Sequence, residues 1–206
     1  GFDDGQFTLI NTTMDGNMNE WDPVINDIDN NACDGTGQGD DRDYEVQSTG
    51  RDLQQFAFTW DNTYLSAYTR RYASSKNNNK FIYYADTNTD GLMSTGEPVV
   101  VVFWKGSNRN VELFVGTYEA DAPSGDPLVD NQGFADGYAM PGELNGNLTG
   151  KGLYSGKWGS SSGTVMEWRV KWSDLGVPAG TAISWHVSTT NSQPGSNNIS
   201  DQIDDN

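Results

Sequence analysis

The sequence predicts an all-β fold: an antiparallel β-sandwich, jelly-roll-like, with long calcium-binding loops. Three observations carry that expectation. Apolar and β-branched runs of roughly five to nine residues recur between Gly, Asn and Asp clusters, the pattern of short antiparallel strands. No segment sustains the period of an amphipathic helix. One run sets Met166, Trp168, Val170 and Trp172 against Glu167, Arg169 and Lys171, the alternation of a strand with one face on a core and the other in water.

Taken in order, residues 6–10 read as a first strand and residues 53–60 as a second. Residues 64–72 form its hairpin partner across Asp61-Asn62-Thr63, because Asp and Asn close turns with their own side chains. Residues 80–85 and 99–104 flank an acidic loop, and residues 110–118, 153–158, 164–172 and 182–190 complete the set. After Trp172, Ser173 is expected to cap a single helical turn that Gly176 stops. Residues 26–43 and 120–147 are long and polar, and long loops in a compact domain are usually built around a metal or a partner. The chain of 206 residues reads as one domain, with residues 1–13 an exchangeable N-terminal strand and residues 196–206 an acidic tail.

Composition narrows the function. Apolar residues make up only 34%, but aromatics reach 12% with seven Trp, and each ring brings enough apolar surface to build a sizeable core. Against 12 basic side chains stand 29 acidic ones, a formal charge of −17. Such a field repels phosphate backbones and anionic lipid surfaces and attracts cations, so nucleic acid is excluded as a partner. No stretch approaches the roughly 20 apolar residues of a membrane span, so membrane insertion is excluded, and no charged and apolar leader opens the chain, as in a mature secreted protein. Cys33 is the one cysteine, which rules out a disulfide framework and a thiolate zinc site.

The acidic loop, residues 86–97, carries the sharpest chemistry. Asp86, Asn88 and Asp90 stand at the first, third and fifth places of a twelve-position calcium loop. Gly91 permits the sharp turn, Leu92 offers its carbonyl, Ser94 can hold a water, and Glu97 closes the loop bidentately. This spacing wraps hard oxygen donors around one Ca²⁺. The flanks differ from an EF-hand: Phe81-Ile82-Tyr83-Tyr84 and Val99-Val100-Val101-Val102 are strand-like, and Pro98 blocks an immediate exiting helix. A calcium-clamped β-hairpin is expected, a staple and not a sensor, since there is no helix pair to open.

Other constellations are less specific. Asp15, Asn17, Glu20, Asp27 and Asp29 belong to a second acidic cluster that would repel itself unless cations screened it, which makes it a second candidate metal site. Trp104, Trp158 and Trp185 are candidates for stacking on sugar rings. Phe7, Thr8, Leu9 and Ile10 are strand-like and set apart by Asn11-Thr12-Thr13, a segment suited to pairing with a neighbour's sheet edge. His186, the one histidine, sits in a strand pattern, and no nucleophile elbow, zinc-protease helix or phosphate loop is present, so no catalysis is expected.

Met14-Asp15-Gly16-Asn17-Met18-Asn19-Glu20-Trp21 resembles the opening DG-x-x-x-E-W element of family 9 carbohydrate-binding modules and their DOMON-like relatives. Met166-Glu167-Trp168-Arg169-Val170 with Leu175-Gly176 and Ile183 resembles their late strand, short turn and following strand, and Asp52-Leu53 through Trp60-Asp61 and Leu65 is similar to their central hairpin. The resemblance implies a calcium-binding antiparallel sandwich of bacterial secreted or surface proteins. Two functions follow as expectations: an extracellular structural or adhesive protein self-associating by strand exchange into a filament or matrix, or a module that binds a glycan.

Overall fold

The computed structural model describes residues 5–33, 50, 52–74, 79–105, 110–118, 157–158, 163–191 and 199–204. The strands expected over 110–118, 164–172 and 182–190 are present as Asn110–Thr117, Val165–Lys171 and Ser184–Asn191. Of the strand expected over 153–158 only Lys157 and Trp158 fall within the described residues, the loop over 120–147 falls outside them, and so do Asp34, Asp40, Asp41 and Asp43.

Alternating segments and continuous apolar runs such as residues 99–102 yield β1 (Asn31–Cys33), β2 (Leu53–Trp60), β3 (Tyr64–Arg71), β4 (Asn79–Asp86), β5 (Pro98–Lys105), β6 (Asn110–Thr117), β7 (Lys157–Trp158), β8 (Val165–Lys171), β9 (Ser184–Asn191) and β10 (Ile199–Asp204). All pair antiparallel in the order β1-β2-β3-β8-β7-β6-β5-β4-β9-β10. The two ends of this ladder come together, β10 lying beside β1 and β2, so the ladder folds over into two facing layers. The result is an all-β antiparallel sandwich, as expected. The predicted acidic tail is corrected here: residues 199–204 are an edge strand on β9, with Ile203 opposite Val187.

The layers meet through aromatic rings. Phe58 of β2 stacks on Trp185 of β9 at 4.5 Å, and Tyr83 of β4 meets Trp168 of β8 edge-on at 4.8 Å. The Thr69 and Tyr83 hydroxyls hydrogen-bond across the same gap. Around them pack Phe56, Phe81, Val100, Val102, Leu113, Met166 and Val170. Each is buried, and a buried side chain of this size contributes about 1.5–3 kcal/mol, so the core rather than the loops dominates stability.

The hairpin of β2 and β3 closes as the sequence predicts: Asp61 Oδ1 accepts from the Thr63 and Tyr64 amides at 2.6 and 2.7 Å. Past β8, Trp172–Leu175 form the single helical turn, and Gly176 ends it in the left-handed region at φ 75°. Ser173 is not its cap, because the turn begins two residues earlier than that cap requires, with Lys171 at the N-cap position and no side-chain cap bond.

Two expectations fail for one reason. Residues 6–10, including Phe7, Thr8, Leu9 and Ile10, form no strand, and the outer face of β8 is wet only in part, with Glu167 buried and Arg169 and Lys171 half-buried. A 3₁₀ turn (Met18–Trp21), α1 (Asp22–Ile25) and a second 3₁₀ turn (Ile28–Asn30) lie over that face instead. Trp21 and Val24 pack on Ala57, Tyr68 and Val165, with Ile10, Met18 and Ile25 at the margin. Asn17 and Asp27 cap the two 3₁₀ turns by accepting the Asn19 and Asp29 amides, and Pro23 occupies the helix start where its missing N–H costs nothing.

Candidate metal centre and the N-terminal latch

The hairpin of β4 and β5 delivers residues 86–97 to one end of the sandwich. Asp86 is the last residue of β4, paired with Ser184 of β9, and Glu97 directly precedes β5. The two acidic residues thus stand at the two feet of the loop. Both carboxylates are buried, Asp86 at 0% exposure and Glu97 at 7%.

Most side-chain oxygens of the ligand spacing are engaged with the loop's own amides. Asp86 Oδ1 accepts from Thr89 N at 2.7 Å and Oδ2 from Gly91 N at 2.8 Å. Asn88 Oδ1 accepts from Asp90 N, and Asp90 Oδ1 from Leu92 N, each at 2.9 Å. Glu97 reaches back across the loop: Oε1 accepts from Thr87 N at 2.7 Å and Asn88 N at 3.2 Å, with the Thr87 hydroxyl at 3.0 Å, while Oε2 accepts from Ser94 N at 2.6 Å. Thr89 and Gly91 take positive φ, 57° and 83°, which coils the chain tightly enough for these bonds. Tyr118 N donates to Glu97 O at 2.7 Å and ties the foot of the loop to the end of β6.

The partners of Asp86 and Glu97 are all neutral amides or a hydroxyl, and residues 86–97 contain no Lys or Arg. Buried carboxylates are ordinarily paired with a cation or bound to a metal. Among the described residues, no three His, Cys, Asp or Glu side chains gather closely enough to hold a metal by themselves. A cation here would draw on mixed donors: the Asp86, Asp90 and Glu97 carboxylates, the Asn88 amide, the Leu92 carbonyl and the Ser94 hydroxyl or its water. Such an all-oxygen set, ordered by a short loop and free of basic side chains, fits Ca²⁺.

The second acidic cluster has a different architecture. Asp15 Oδ1 accepts from Asn17 N at 2.7 Å and Glu20 Oε1 from Thr13 N at 2.6 Å. Asp27 Oδ2 accepts from the Thr8 amide at 3.0 Å and the Thr8 hydroxyl at 2.5 Å, and Asn30 Oδ1 takes the same amide at 2.6 Å. Ile10 N donates to Thr59 Oγ1 at 3.0 Å. Glu167, fully buried on the outer face of β8, accepts from Gly16 N at 2.6 Å and the Trp21 indole at 3.1 Å. These acceptors latch the N-terminal segment onto the sheet, which explains why Thr8 and Ile10 do not pair as strand residues.

Burial pushes the Glu167 carboxyl above its ordinary pKa, partly offset by its Gly16 and Trp21 bonds and reinforced by Glu20 and Asp15. The Thr8 hydroxyl bond holds Asp27 below its ordinary value. Spacing does not mark Glu167 as functional, and Thr8 is named only as part of the exchangeable N-terminal strand. Glu167 was hidden because alternation predicts it as solvent-facing.

Of the residues proposed to stack on sugars, Trp104 and Trp185 are core residues. Trp104 is fully buried beneath the Arg71 guanidinium, 3.7 Å from its ring, and Trp185 stacks on Phe58. They present no surface platform, because their positions on β5 and β9 face the opposite layer. The Trp158 side chain lies outside the described residues. No family model, curated protein or solved structure matches the chain.

Proposed function

We propose that the chain is a non-catalytic, calcium-stabilised structural or adhesive module that works outside the cell and associates with its own copies into a filament or matrix. The observation that carries the calcium reading is the pair of buried carboxylates, Asp86 and Glu97, at the feet of a loop whose other donors follow calcium spacing and whose partners are all neutral. Bound calcium would fasten β4 to β5 in the middle of one layer and remove electrostatic stress from a chain of charge −17. Self-association is supported by how residues 6–12 are held. Side chains grip Thr8, Ile10 and Thr12, no ladder pairing involves them, and Phe7 and Leu9 are more than half exposed. A segment gripped in this way can leave its own sheet and take up equivalent bonds on a neighbour. The motifs around Trp21 and Trp168 support kinship with the calcium-binding module family on the same terms.

Light scattering of the purified protein with and without millimolar calcium tests this reading. Calcium-dependent growth in mass that is lost on deleting residues 1–13 supports assembly through that segment. A monomer at every concentration in both conditions would refute it.

A further inference from the structure

We propose that a cavity at the loop end of the sandwich binds a small organic cation, a quaternary or methylated ammonium. The cavity measures about 280 Å³ and lies between the two layers, where Phe7, Phe58, Trp60, Trp172 and Trp185 form aromatic walls and Asp29 is the one lining side chain with a formal charge. This site goes beyond the calcium reading and shares none of the residues of the 86–97 loop.

Three observations select the ligand class. Three walls are held by contacts within the sandwich, since Phe58 stacks on Trp185 and the Trp172 indole donates to Asp61 O at 2.8 Å, while the half-exposed Phe7 of the N-terminal segment meets Trp60 edge-on at 5.1 Å. Ring faces held around a space attract a desolvated cation through their quadrupoles. Asp29 is half-buried in the lining, its Oδ2 accepts no hydrogen bond, and the lining holds no Lys or Arg to pair with its carboxylate. Few side-chain polar groups are left over: Asn30 Nδ2 donates to Thr8 O and Phe58 O, Asn31 Nδ2 donates to Ile25 O and Asp27 O, and Thr181 Oγ1 donates to Pro178 O. A sugar, with a hydroxyl on nearly every carbon, would find too few partners and leave buried polar groups unmet. A compact cation needs only the rings and one carboxylate.

The test is a titration of tryptophan fluorescence with choline, with its uncharged isostere 3,3-dimethylbutan-1-ol and with glucose, on the wild type, Asp29→Asn and Trp60→Leu. Asp29→Asn keeps the backbone bond from Asp29 N to Asp27 Oδ1, and near-ultraviolet circular dichroism verifies that each variant is folded. Saturable choline binding at least about tenfold tighter than the isostere is expected, since the charge is the recognised feature. Asp29→Asn should lose about tenfold toward choline and leave the isostere unchanged, and Trp60→Leu should weaken both. Equal binding of choline and isostere would overturn the proposal in favour of a plain apolar pocket, and so would glucose binding more tightly than choline or no saturable choline binding. If Asp29→Asn does not fold, the wild-type comparison of choline with its isostere still decides.

Discussion

Residues 86–97 and residues 15–30 are written in the same alphabet of Asp, Asn, Glu and Gly, and Asp15, Asn17 and Glu20 serve nearby amides as the loop does. Only the second region's side chains also bond over long range. In the first, the engaged side-chain acceptors serve amides or a hydroxyl within ten residues, so the loop coils on itself and gathers its oxygens in one place. In the second, Asp27 and Asn30 reach back 19 and 22 residues to Thr8, while Glu167 of β8 reaches 151 residues to Gly16. There the acceptors fasten one part of the chain to another. Carboxylate density alone therefore does not distinguish the two regions; the reach of their hydrogen bonds does.

The contrast can be broken most forcefully at the loop feet. Calcium at a hundredfold excess over its dissociation constant should stabilise the protein by about 2.7 kcal/mol. At ~2–4 °C per kcal/mol for a domain of this length, that raises Tm by about 5–10 °C in a calorimetric scan. Asp86→Ala and Glu97→Ala should abolish that increment, and Glu97→Ala should also cost about 2–3 kcal/mol without calcium, because it strips the Thr87, Asn88 and Ser94 amides of their acceptor. On the other side, Glu167→Ala should cost about 1–3 kcal/mol by leaving the Trp21 indole unpaired, with no loss of the calcium increment. Hydrogen exchange would then show faster opening confined to residues 8–25. Gly91→Ala separates backbone from ligand effects: nothing lies within 4 Å of an added Cβ, so the cost is that of a side chain at φ 83°, about 1–2 kcal/mol.

The smallest effect is a difference of sign within the latch. Glu167 has its pKa raised in the fold, so its titration contributes stability that is full below the ordinary glutamate value and lost as pH rises through the raised one. Asp27 has its pKa lowered, so its contribution is present above the ordinary aspartate value and lost as pH falls through the lowered one. Chemical denaturation across acid to neutral pH should find the penalty of Glu167→Ala shrinking as pH rises and that of Asp27→Ala growing. Parallel trends would mean that the two carboxylates do not act as opposing parts of one latch.

Most of the sheet was legible because its strands obey a local rule. Bounds over 53–60 agree with β2 exactly as expected, and those of β3, β4, β5, β6, β8 and β9 differ by a residue or two, since alternation and Asx-closed turns are written in adjacent residues. The N-terminal layer was not legible. Its three short helical turns are too brief to show a period, and what orders them is Trp21 and Val24 packing on strands far along the chain. The same cover makes Glu167 a buried anchor where alternation predicts a wet residue. Within the candidate metal site, the ligand spacing was visible from Asp86 to Glu97, whereas the burial of both feet follows from their places at the end of β4 and before β5. The aromatic cavity was invisible in sequence, because Phe7, Trp60, Trp172 and Trp185 are brought together only by the folding over of the sheet.

Titration calorimetry with calcium, run on the wild type, Asp86→Ala, Glu97→Ala and the latch variants Glu20→Ala and Asp27→Ala, tests the central claim most directly. A site present in the wild type and both latch variants and absent from both loop variants is the predicted result. Unchanged calcium stoichiometry in Asp86→Ala and Glu97→Ala would contradict it.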